Sequence, residues 1–154
     1  MAVRSTELAS KFRTQFPSAT IQVWPLEMES YDSIHAFPRR AVAELSRIDM
    51  AILNAGMQTA YFSTVLDTGH EKLVQVNYLS IMLLGILLLL VLKAKSPPGQ
   101  PGRSIIVSSG TSRGAKISEP NGAPVLSALD DKSRPWDPIE RYALPGTVLQ
   151  KLFV

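Results

Sequence analysis

Hydrophobic spacing divides the chain into alternating helical and extended segments. Leu8, Phe12 and Phe16 recur four apart, so Thr6 to Phe16 is predicted to be an amphipathic helix, stopped at Pro17-Ser18. Ile21 to Leu26 has the pattern of a short strand, with Pro25 marking its end or an edge position. Tyr31 to Leu45 returns to helical spacing, with Ile34, Phe37, Ala41 and Leu45 inward and Arg39-Arg40 outward. Ile48 to Leu53 is a run that is apolar but for Asp49 and ends at Asn54-Ala55-Gly56, as expected of a strand buried on both faces of a parallel sheet. His70 to Lys95 is predicted to be one long helix, uncharged from Ile81 to Leu92. Lys93 to Gly102 has loop composition, and Arg103 to Gly110 is the next buried strand. Residues 111–138 are punctuated by proline and glycine and are expected to form a long irregular loop. A last helix starts near Ile139 and is interrupted at Pro145-Gly146.

Strands alternating with helices predict an α/β fold, a parallel sheet with helices on both faces, in which ligands bind at the C-terminal ends of the strands. Glu27, Asn54 and Ser109 stand at those ends, although polar residues also end strands for turn reasons. The unbroken apolar stretch, Ile81 to Leu92, is 12 residues, short of the about 20 needed for a membrane span, so a core helix is expected rather than a membrane segment. An oligomer contact is the second choice for it.

Composition narrows the chemistry. The 154 residues are enough to bury a core, and the absence of cysteine removes disulfides, thiolate nucleophiles and Cys-based metal sites. His35 and His70 have no ligand spacing, so no metal is expected. Asp130-Asp131 is expected to be a solvated pair. A net charge of +3 does not point to anionic partners, and Arg39-Arg40 and Lys93/Lys95 lack the interleaved aromatics of a nucleic-acid surface. Met1 leads into a polar helical stretch with no signal peptide, which sets the expectation of a cytoplasmic protein.

Six short elements fall in one order along the chain: Leu26-Glu27-Met28, Leu53-Asn54-Ala55-Gly56, Gly69-His70-Glu71, Val76-Asn77, Val107-Ser108-Ser109 and Glu140-Arg141-Tyr142. In that order and spacing the sequence resembles the short-chain dehydrogenase/reductase family, nearest its retinol-dehydrogenase-like and fungal secondary-metabolism members. The resemblance implies a Rossmann-type doubly wound sheet and an NADP-dependent oxidoreductase acting on a ketone or secondary alcohol. It implies roles for single residues too. Ser109 would bond the substrate oxygen, Tyr142 would exchange a proton with it and contact the cofactor, and Asn77 would support a proton-relay water. Arg4 would meet the adenosine ribose and favour the 2′-phosphate of NADP. Glu27 would stand beside adenine, and Asn54 would shape the cofactor wall.

Two departures qualify that picture. The family places a lysine four residues after the tyrosine, one helical turn on, to lower the tyrosine pKa; Gly146 stands there. Lys151, nine residues on, would face the opposite side of a helix. The family also opens with a strand and a Gly-rich turn that holds the cofactor pyrophosphate, and the sequence contains no such turn. In strand order 3-2-1-4-5-6 the first strand lies mid-sheet, so an incomplete Rossmann sheet, truncated at both ends, is expected across residues 1–154. Such a chain alone is expected to be poorly soluble or molten and to bind NADP negligibly. The alternative from a different class is a non-catalytic remnant, or a docking partner of an intact relative.

Overall fold

The computed structural model describes residues 2–113, 124–133 and 135–143. Helix α1 (Ala2–Gln15) is followed by an extended segment and then by helix α2 (Tyr31–Glu44). Strand β1 (Met50–Leu53), the long helix α3 (Lys72–Lys95) and strand β2 (Arg103–Ile106) come next. A 3-10 turn at Gly110–Arg113, a short helix α4 (Val125–Leu129) and a last helix α5 over 138–143 complete the described chain. β1 and β2 pair in parallel, with Met50 opposite Arg103 and Leu53 opposite Ile106. The ladder runs one step further, where Val107 N donates to Leu53 O at 2.9 Å. With α3 as the crossover between two parallel strands, this is an incomplete α/β Rossmann fragment.

Local chemistry accounts for the helix boundaries. Ser30 caps α2 by accepting from Ser33 N, and Asp32 lies in the first turn, where a negative charge complements the helix dipole. Glu71 caps α3 by accepting from Leu73 N at 2.9 Å and Val74 N at 3.0 Å. Inside α3, Gln75–Leu79 widens into a π turn, a feature that concentrates at functional positions. The core forms where α2 and α3 meet the sheet: Ile34 and Ala41 pack with Ile81, Leu84, Leu88 and Leu53. Ser80, fully buried in α3, donates to Met28 O at 2.5 Å and ties the chain ahead of α2 to that core.

Several expectations are corrected. Ile21–Leu26 forms no strand, because a strand needs a ladder partner and none lies beside it among the described residues. Between that segment and the free edge of β1 lies an open groove of about 640 Å³, with Trp24 and Leu26 on one wall and Met50 to Leu53 on the other. Trp24 instead packs edge-on against Phe37 at 5.7 Å, with the Arg40 guanidinium 4.3 Å above its ring. The strands are not buried on both faces: Met50, Ile52, Ile105 and Val107 are exposed, since α2 and α3 cover only one side of the sheet. Leu8 and Phe12 of α1, and Phe16 just after it, are about half exposed as well.

α3 is by length and composition the one helix among the described residues able to cross a membrane, and half of its apolar window is buried within the fold. It is therefore a core helix on one side only, with Ile86, Leu89 and Leu90 exposed on the other. The expected loop over 111–138 contains α4, while residues 114–123 and 134 lie outside the described residues. Gly146 and Lys151 also lie outside them.

Candidate active site

At the C-terminal ends of β1 and β2 a pocket of about 230 Å³ opens, the place where parallel α/β sheets bind ligands. Asn54 to Gly56 leave β1 on one side of it, and Val107 to Ser109 leave β2 on the other. Asn77 and Ile81 close it from α3, and Tyr142 from α5. Four of the six predicted site residues, Asn54, Asn77, Ser109 and Tyr142, are thus brought together. The other two are not. Arg4 lies within α1 rather than at a strand end, and Glu27 is exposed in the turn before α2. Glu27 Oε1 accepts from Glu29 N at 3.3 Å, so its carboxylate serves that turn.

Asn77 is positioned by the π turn and spends its whole amide on one neighbour. Its Nδ2 donates to Met57 O at 2.8 Å, and its Oδ1 accepts from Met57 N at 2.9 Å. The two bonds hold the turn after β1 against α3, so the side chain itself is a backbone clamp. Asn77→Ala leaves both Met57 groups without these partners, at an expected cost of about 1–3 kcal/mol. Urea unfolding reads that loss, and faster amide exchange at Met57 locates it.

Ser109 Oγ accepts from Thr111 N at 3.3 Å and from Thr111 Oγ1 at 2.9 Å. Those bonds leave its own O–H to donate. Ser109 O accepts from Ser112 N at 3.2 Å and Ser112 Oγ at 2.7 Å, which folds the chain into the 3-10 turn beyond β2. Tyr142 owes its place to α5, which starts with Asp137 as cap and Pro138 in the first turn, a pair well suited to a helix start. Asp137 Oδ1 accepts from Ile139 N at 2.8 Å and Glu140 N at 3.1 Å.

A hydroxyl donor and a phenol around one small pocket suit polarisation of a carbonyl oxygen and proton exchange with it. The pocket is smaller than the about 300–1,000 Å³ that holds a drug-sized ligand, so it is too small for a whole dinucleotide. No group of three or more His, Cys, Asp or Glu able to hold a metal occurs among the described residues.

Comparison with known proteins decides the family. The sequence profile of the family described as short chain dehydrogenase matches residues 1–121. This chain belongs to the short-chain dehydrogenase/reductase family. It is 49% identical to a short chain dehydrogenase/reductase, mfmJ of Annulohypoxylon moriforme, over the whole of this chain and 45% of that protein. It is 38% identical to the short-chain dehydrogenase fogG of Aspergillus ruber, over the whole chain and 46% of that protein. The short chain dehydrogenase opdN of Penicillium oxalicum is 39% identical, again over the whole chain and 51% of its own length. The chain spans about half the length of the curated relatives it matches. Short-chain dehydrogenases generally take a nicotinamide cofactor, NAD or NADP, and act on small molecules.

Buried polar residues next to the pocket escaped the sequence reading. Asp130 is not a solvated carboxylate: its Oδ2 lies 2.8 Å from His70 Nδ1, and its Oδ1 accepts from Glu71 N at 2.8 Å. Glu71 has no exposed surface, and burial pushes its carboxyl above the usual carboxylate range. The bonds from Leu73 and Val74 and the charge of Arg141 act in the opposite direction. The one sequence signal for these groups was their run beside the family elements Gly69-His70-Glu71 and Glu140-Arg141-Tyr142.

Proposed function

We propose that this chain carries the carbonyl-activating half of an NADP-dependent oxidoreductase, cytoplasmic and acting on a ketone or secondary alcohol of fungal secondary metabolism. The observation that carries the reading is the convergence of Ser109, Tyr142, Asn77 and Asn54 on one pocket at the strand C-termini. Ser109 O–H donates to the substrate oxygen and orients it, and the Tyr142 phenol exchanges a proton with that same oxygen. Asn77 and the turn at Asn54 to Gly56 form the wall on the cofactor side. When bound, the nicotinamide supplies or accepts the hydride at the carbonyl carbon.

The fit covers only the reacting end of the cofactor. Among the described residues no Gly-rich turn links a strand to a helix N-terminus, the feature that holds a pyrophosphate. Glu27 does not line the pocket. A second reading, a non-catalytic relative that docks on an intact family member, is favoured by the uncovered strand face at Met50, Ile52, Ile105 and Val107.

NADPH fluorescence titration separates the two. The 154-residue chain is expected to give negligible enhancement. The same chain joined behind a short-chain dehydrogenase strand, Gly-rich turn and helix is expected to bind NADPH and to oxidise it when a ketone is added. A joined protein that melts cooperatively yet neither binds nor oxidises NADPH would remove the catalytic reading and leave the docking one.

A further inference from the structure

Tyr142 sits on α5, and the preceding helix α4 has only 5 residues. Isolated helices below about 12–15 residues are marginal in water, so α4 cannot set the corner at 129–130 by itself. Side chains therefore do so. Asp130, the C-cap of α4, reaches the start of α3 with both carboxylate oxygens, one 2.8 Å from His70 Nδ1 and one accepting from Glu71 N at 2.8 Å. Leu129, the residue before it, is buried against Val74 of α3.

The Leu129 carbonyl in turn accepts from Arg141 Nη1 at 2.8 Å. Arg141 is only 7% exposed, and its guanidinium lies 5.6 Å from the Trp136 ring, which meets Phe62 edge-on at 5.7 Å. Glu71 lies within the electrostatic reach of Arg141. A rigid path thus runs from α3 through Asp130 and Leu129 to Arg141, and Tyr142 is the next residue.

We propose that Asp130 and Arg141 are positioning residues for Tyr142. Asp130 fixes the corner at 129–130 on the start of α3, and Arg141 ties α5 to that corner, so the phenol faces the same pocket as Ser109. The proposal rests on the preceding section for what the placed phenol does, but the placement itself is measured without turnover.

The test is 19F NMR of the full chain carrying 3-fluorotyrosine, with the Tyr142 signal assigned by its loss in Tyr142→Phe. Asp130→Ala is expected to move the Tyr142 resonance most of the way to its position in the urea-unfolded chain. The Tyr61 resonance, from an exposed side chain remote in sequence, is expected to stay in place. Asp130→Asn keeps an acceptor for Glu71 N–H and is expected to restore the Tyr142 signal in large part. Arg141→Lys has the charge but not the fork that reaches Leu129 O, and is expected to behave like Asp130→Ala. His70→Ala removes one contact and remains informative if Asp130→Ala does not fold; a smaller shift in the same direction is expected. A Tyr142 signal unmoved in folded Asp130→Ala or His70→Ala would overturn the proposal, as would equal movement of Tyr61 and Tyr142. Tyr142→Phe with unchanged hydride transfer in the joined protein would instead end the catalytic reading and leave the placement standing.

Discussion

Replacing Glu71 with alanine is expected to destabilise the chain by about 2–4 kcal/mol, a large part of an ordinary domain's stability. Two features combine. The carboxylate caps α3 through Leu73 N and Val74 N, and no solvent reaches the site to replace it. It also lies within electrostatic reach of Arg141, which is itself buried. Urea unfolding at neutral pH measures the difference, and a change below about 0.5 kcal/mol, the range of an ordinary surface substitution, would contradict it.

The pH dependence of the same group has a definite sign. Burial raises the Glu71 carboxyl in the folded state, so the folded chain holds this proton more tightly than the unfolded one. Its contribution to stability is complete below the unfolded value, about 4.3, and is lost as pH rises through the higher folded value. Glu71→Gln cannot ionise. The variant's stability is expected to be flatter with pH across that window than the unsubstituted chain's, while it still loses one of the two cap bonds. Parallel profiles for the two proteins would show that another group titrates there.

Tyr142→Phe carries the second large effect. In the chain joined to a cofactor-holding segment it is expected to lower kcat by about 10²–10⁴-fold, the usual worth of a positioned proton donor, with KM little changed. Phenylalanine keeps the ring that lines the pocket and removes only the hydroxyl, so folding is expected to be preserved. Loss of kcat with an unchanged melting temperature is the informative pattern. A fall of less than about threefold would exclude Tyr142 from the chemical step, since general acid–base groups contribute at least about 10².

What the sequence made legible follows from which interactions are local. The spacing of Ile34 and Ala41, and the apolar run before Asn54, identify α2 and β1 because helix and strand periods are properties of neighbouring residues. The pocket was legible for the same reason: Asn54 and Ser109 mark strand ends, and strand ends in a parallel sheet share an edge. Ile21 to Leu26 has equally good strand composition and forms none, because pairing depends on a neighbour that the segment's own residues do not specify. The exposed Met50 and Ile52 show the same limit, since an apolar run does not say how many faces find a cover.

Polar contacts across long separations left no pattern at all. Asp130 and His70 are 60 residues apart, and Asn77 and Met57 are 20 apart. No period connects such pairs, so Asp130 had the composition of a solvated carboxylate and proved to be a tie between segments. The Asn77 side chain ties two segments as well. The groups that carry the proposed chemistry were therefore readable in the sequence, while most of the groups that hold them in place were not.

Ser109 and Tyr142 line one pocket at the ends of β1 and β2, where the proposed activation of a carbonyl takes place. Deuterium transfer tests it most directly. The joined protein is given NADPH deuterated at the transferring carbon together with a prochiral ketone, and the alcohol is examined by mass spectrometry. The expected result is deuterium at the carbinol carbon, in one enantiomer, with formation slowed in both Ser109→Ala and Tyr142→Phe. A folded joined protein that binds NADPH and forms no deuterated alcohol, or forms it equally well in both variants, would contradict the claim.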